Sequence, residues 1–192
     1  LSQGRKFYRR WLKLGDEAKA AEHSAYTERA LFGQMTPGSY SNADLVANYE
    51  GYLFYRSLFE DDVVNGKLAI LAWENNRWIM QRPFDWAEHI NDYWDEALNV
   101  PHYDAWLYPH MKTRLLTFCD DYRSEPESFH IHDEATLRDR YRHLQLRDTS
   151  ELRLENLCTE NGDTSIVNTD ATTNNSKQSP SNRYFRLLRL TG

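Results

Sequence analysis

Three features of the sequence predict a mainly α fold with one small β-hairpin. Apolar residues recur at helical spacing through most of the chain, as in Met111, Leu115, Phe118, Cys119 and Tyr122. Only KLAILAWENNRWIMQR, residues 67–82, carries two short apolar runs joined by asparagines, which tolerate the positive φ of a tight hairpin turn. The composition, 40% hydrophobic, 14% aromatic and 27% charged, belongs to a globular chain with large core residues and a polar surface. At 192 residues the chain is long enough for one core, expected over residues 1–158.

The elements follow in order. Residues 5–14 form a basic amphipathic start with Phe7, Trp11 and Leu14 on one side. Gly15 breaks it, and Asp16 can cap a second helix over 17–32 whose buried stripe is Ala18, Ala21, Ala25 and Phe32. A turn over 33–40, with Pro37-Gly38, leads into a helix over 42–59. After the hairpin, Pro83 ends the extended segment and a helix is expected over 86–98, broken by Asn99-Val100-Pro101. Pro109 suits the first turn of the next helix. Asp133 can cap a helix over 134–146 with Leu137, Tyr141 and Leu144 inward. Residues 159–182 hold almost no apolar side chains and are expected to be a disordered linker or loop, ending in a short apolar-basic segment over 183–192.

Composition also excludes. A net charge of −6 argues against nucleic acid as a partner, since phosphate binding needs a basic footprint. No apolar run reaches the eighteen or so residues that span a bilayer, so no transmembrane helix is predicted. The opening Leu-Ser-Gln-Gly, without Met or a signal peptide, is expected of a piece trimmed from a longer protein. Cys119 and Cys158 permit one pairing, which composition does not establish; Cys119 equally suits a free thiol on an apolar helix face. A disulfide would favour an oxidising compartment. Zinc spacings, a nucleophile elbow and a phosphate-cradling glycine loop are all absent, and no cofactor is predicted.

The helix SYSNADLVANYEGYLFYR, residues 39–56, is apolar almost all the way round yet contains Asp44, Asn48 and Glu50. Ser41 is a good N-cap, Asp44 stands where an acid can complete a capping box, and Tyr40 with Leu45 can form a hydrophobic staple. Glu50 and Ser57 share a narrow strip expected to face solvent. Gly51, one turn from Ala47, makes a flat patch for the close approach of another helix. Asn48 falls between Tyr52 and Tyr55, where a buried amide must find partners. It either bonds a facing backbone or Tyr hydroxyl, or faces a ligand in an aromatic pocket. The pattern Tyr40-Ser41-x-x-Asp44-Leu45-x-x-Asn48-x-x-Gly51 resembles one in an uncharacterised group of bacterial, cell-envelope proteins. That resemblance implies a bacterial origin and export, placing the chain in the periplasm or envelope ahead of the cytoplasm, and carries no activity.

Residues 83–111 hold six acids, three histidines and no Lys or Arg. On a helix, Asp85, His89, Asp92 and Glu96 would form one stripe. His89, Asp92 and Glu96 could then hold a zinc, manganese or iron ion, or act as a general acid/base set. His130 and His132 form a weaker His-x-His metal candidate. Trp86, Trp94 and Trp106 beside carboxylates have the composition of a carbohydrate site. Three functions are therefore expected in rank order. The first is a non-enzymatic binding or interaction domain of a larger exported protein, with a protein, cell-wall or small-molecule partner. The second is a metal-dependent or acid/base hydrolase, and the third a carbohydrate-recognition module.

Overall fold

The structure, a computed structural model, describes residues 2–27 and 38–160. The expected linker from 161 onward and the terminal segment 183–192 lie outside them, as do the end of the second predicted helix and most of the following turn. Among the described residues are seven α-helices and two small two-stranded sheets, so the fold is mainly α. The helices are α1 (Ser2–Leu14), α2 (Glu17–Thr27), α3 (Asn42–Ser57), α4 (Tyr108–Leu116), α5 (Cys119–Ser124), α6 (Glu134–Arg140) and α7 (Leu154–Glu160). The expected hairpin forms from β2 (Leu71–Glu74) and β3 (Arg77–Met80), with Trp73 opposite Trp78 and a turn at Asn75 and Asn76, both at positive φ. A second pair joins β1 (Ser39–Tyr40) to β4 (His102–Tyr103), strands too short for periodicity to reveal.

The organising element is α3. Ser41 caps it, its Oγ accepting the Asp44 N–H at 3.1 Å, as the sequence predicts. The hydroxyl itself donates to Glu96 Oε1 at 2.7 Å, so a distant acid also reaches this helix N-terminus. Val46, Tyr49, Tyr52 and Leu53 are buried in the main core with Phe7 of α1 and Tyr141. The flat patch predicted at Gly51 receives α1: a Cβ added at Gly4 would lie 2.5 Å from Gly51 backbone atoms, so the two helices cross in near backbone contact. Phe7 is buried and Trp11 half-buried beneath α1, but Leu14, grouped with them by periodicity, is exposed. Asp16 caps α2, its side chain accepting the Lys19 N–H; Ala21 and Ala25 of the expected stripe are buried, Ala20 is buried in place of the exposed Ala18, and Phe32 lies outside the described residues.

A second core gathers Val100, Leu115, Leu152, Leu154 and Leu157 around the Cys119–Cys158 disulfide, whose Cα atoms are 5.4 Å apart. The pairing left open by composition is formed, and it ties α5 to α7. The single helical stripe drawn from Met111 to Tyr122 is divided between α4 and α5, with a break at Thr117-Phe118.

The predicted helix over 86–98 does not form. In its place are two 3-10 turns, Trp86–Glu88 and Asp92–Trp94. Asp85 captures the Ala87 amide, Asn91 that of Tyr93 and Asp95 that of Ala97, each two residues on. These Asx turns satisfy the backbone locally and compete with helix propagation. Asp133 is also not the cap expected of it: it sits at φ 51° with no side-chain capping bond, and α6 ends at Arg140 rather than near 146.

Candidate functional site

Without a helix over 86–98 the acidic stripe is dispersed. His89 is buried against α3, Asp92 accepts the His132 backbone N–H at 2.8 Å and approaches its ring, and Glu96 holds Ser41. His130 and His132 have rings 5.8 Å apart but approach different acids, Glu155 and Asp92. Among the described residues no group of three or more His, Cys, Asp or Glu is arranged to hold a metal ion. The tryptophans are separated as well. Trp86 lies exposed against Phe84, Trp94 is half-buried at the main core, and Trp106 covers Gly38 from an exposed position. Asn48 is half-buried, and no hydrogen bond joins its amide to the described residues. Its neighbours are engaged by α1: Tyr52 stacks on Phe7 at 4.7 Å and Tyr55 on Tyr8 at 5.9 Å.

Glu50 reverses its expectation. The strip it shares with Ser57 is real, but both residues are buried, and the Glu50 carboxylate is fully enclosed. A helix with apolar residues nearly all round is covered over most of its circumference, and a polar group on the covered part is then met by partners from elsewhere. Tyr141 donates its hydroxyl to Oε1 at 2.6 Å, Arg140 donates a guanidinium N–H at 2.7 Å, and His89 Nδ1 lies 3.1 Å from Oε2. Asn91 in turn donates to the Tyr141 oxygen at 2.7 Å. Burial and the adjacent Glu50 charge push the Tyr141 phenol well above its ordinary pKa, keeping it a donor. At the other side of α3, Glu17 collects the Tyr49 and Tyr52 hydroxyls, with Arg56 and His143 close by.

The Tyr141 side of this network borders a cavity of about 290 Å³. Its apolar wall is Tyr141 stacked on Tyr93 at 5.8 Å, with Leu144 and Leu146. Its polar floor is already satisfied: Asn99 donates to the Tyr93 carbonyl and Thr149 to the Val100 carbonyl. Asn42 holds the Arg147 backbone at two points, donating to its carbonyl at 2.8 Å and accepting its N–H at 2.9 Å. The cavity is edged by four arginines. Arg138 and Arg153 share Glu134, which they hold down to a pKa of about 2, and Arg142 pairs with Asp139. The Arg147 guanidinium lies 4.8 Å over the Tyr40 ring, and no carboxylate pairs with it among the described residues. Sequence reading passed over this site. Its one signal was the five arginines between 138 and 153 in a chain of net charge −6.

Comparison with protein families, with curated proteins and with solved structures returns no match.

Proposed function

We propose that this chain is a non-enzymatic binding domain, and that the cavity beside Tyr141 takes a small oxyanion ligand, a carboxylate or a phosphate. The observation that carries the reading is Arg147: a half-buried residue whose backbone is fixed by Asn42, at the cavity edge and without a carboxylate partner among the described residues. A guanidinium binds a planar carboxylate or a phosphate through paired N–H bonds, which fixes ligand orientation as well as charge. Tyr93, Tyr141, Leu144 and Leu146 would receive an apolar or ring-shaped body behind the anionic group. At about 290 Å³ the cavity lies at the small end of ligand sites, which suits a metabolite better than an oligomer. The dispersal of His89, Asp92 and Glu96 supports binding over hydrolysis. The disulfide supports an oxidising, extracytoplasmic compartment, in line with the envelope setting that the 40–51 pattern suggests.

Calorimetric titration with phosphate and with small aliphatic and aromatic carboxylates tests this directly. Saturable binding, lost in Arg147→Gln and with the ligand recovered chemically unchanged, is the expected result. A flat response across the panel, or equal affinity in Arg147→Gln, would overturn the cavity as an oxyanion site. Conversion of the ligand would overturn the non-enzymatic reading.

A further inference from the structure

The exposed face of α1 carries a segregated charge that neither the core nor the cavity explains. This helix, SQGRKFYRRWLKL, contains five cations and no acid. With about 100° between successive residues, Arg5, Arg9, Lys13, Lys6 and Arg10 follow one another around roughly 140° of its circumference. They lie opposite the buried Gly4 and Phe7 that face α3. None of the five forms an ion pair or a side-chain hydrogen bond with the described residues, whereas Lys19, Arg56, Lys67 and Arg82 all have acidic partners. Solvated helix faces ordinarily intersperse both signs, so a one-sign arc on an acidic protein is a surface suited to a polyanion. At the two borders of the arc stand Leu12, 59% exposed, and Leu14, 45% exposed.

We propose that the basic face of α1 docks the protein on an anionic phospholipid surface. Charge complementarity demands an extended array of negative groups, and a helix of thirteen residues, about 20 Å long, lays its cations along a plane of headgroups. Leu12 and Leu14 flank the arc on opposite sides, roughly 90° and 110° from its centre, so the docking is electrostatic and the leucines do not insert. The half-buried Tyr8 and Trp11 are held in contact with Tyr55 and Tyr52, so no ring of this helix is presented for stacking on bases. This surface is separate from the cavity, and the proposal does not depend on the ligand there.

The test is co-sedimentation of the full chain with vesicles of phosphatidylcholine, with and without phosphatidylglycerol, at low salt and at about 1 M salt, where the Debye length falls to about 3 Å. Binding only to the anionic vesicles, abolished by salt, is expected. A variant with Arg5, Lys6, Arg9 and Lys13 all changed to Gln should lose binding by on the order of 10²- to 10³-fold, since each cation near such a surface contributes roughly fivefold. If the fourfold variant does not fold, as judged by circular dichroism, Lys6→Gln and Lys13→Gln singly carry the test, each expected to lose roughly fivefold. Three results would overturn the proposal: equal binding to neutral vesicles, unchanged binding of the charge variants, or tighter binding to duplex DNA than to anionic vesicles.

Discussion

Replacing Glu50 separates two pictures of α3. Were the residue solvent-facing, as helical periodicity alone places it, Glu50→Ala would change stability by no more than about 0.5 kcal/mol. In the structure its carboxylate is fully buried and is met by Tyr141, Arg140 and His89. Removing it leaves the Tyr141 hydroxyl, the His89 Nδ1 and one guanidinium N–H with a lost acceptor, and opens a cavity in the core. Deleting one member of a buried, hydrogen-bonded charge pair costs about 3–5 kcal/mol. Arg140 moderates this because it is 35% exposed and can turn its charge to water. We therefore expect a loss of about 4 kcal/mol for Glu50→Ala and about 1–3 kcal/mol for Glu50→Gln, which keeps the volume and the acceptor for Tyr141. Against a total of about 5–15 kcal/mol the alanine variant is severely compromised, with Tm lowered by roughly 10 °C. Urea unfolding followed by tryptophan fluorescence reads this as a lower midpoint at unchanged slope. An alanine variant within about 0.5 kcal/mol of the parent would refute the enclosed network.

Other substitutions probe the remaining joints. Gly51→Ala and Gly4→Ala should each destabilise by about 1–3 kcal/mol despite alanine's better helix propensity, with Gly4→Ala the worse because its Cβ meets backbone at 2.5 Å rather than 3.0 Å; thermal unfolding gives the order. Reduction of Cys119–Cys158, or Cys158→Ser, should cost about 2–4 kcal/mol for a loop closed across 39 residues, measured by urea unfolding with and without dithiothreitol. Glu134 is held at about 2, below its ordinary 4.5, by Arg153 and Arg138, so the unfolded chain binds more protons between those values. Its contribution is complete above about pH 4.5 and is lost as pH falls toward 2; after discounting for solvent screening it amounts to about 1–2 kcal/mol. Glu134→Gln should flatten the acid limb of the stability curve in that window.

What sequence could show followed from local rules that tertiary contacts did not override. The hairpin at 67–82 was legible because two asparagines at positive φ separate two apolar runs. The role of Gly51 was legible because a bare patch on a helix has a packing consequence. Over 86–98 the same apolar spacing misled, because Asp85, Asn91 and Asp95 each satisfy a nearby amide, and three such turns outcompete one helix. Glu50 was placed at the correct angle and given the wrong surroundings: periodicity says which residues share a face, not what covers it. The cavity was hidden for a related reason. Asn42 and Arg147 meet across 105 residues, and no pattern within a window of the sequence encodes that pairing.

The Glu50 network also constrains the order of events as the chain is made. Its principal partners, Arg140 and Tyr141, come 90 and 91 residues later. At about 5–20 residues per second, the carboxylate of α3 waits several seconds on the ribosome for the groups that will enclose it. During that interval the strip of α3 that carries Glu50 stays hydrated. The contact that encloses Glu50 is thus a non-local one of the kind that slows folding. A chain ending before residue 141 is expected to remain an open, protease-sensitive intermediate.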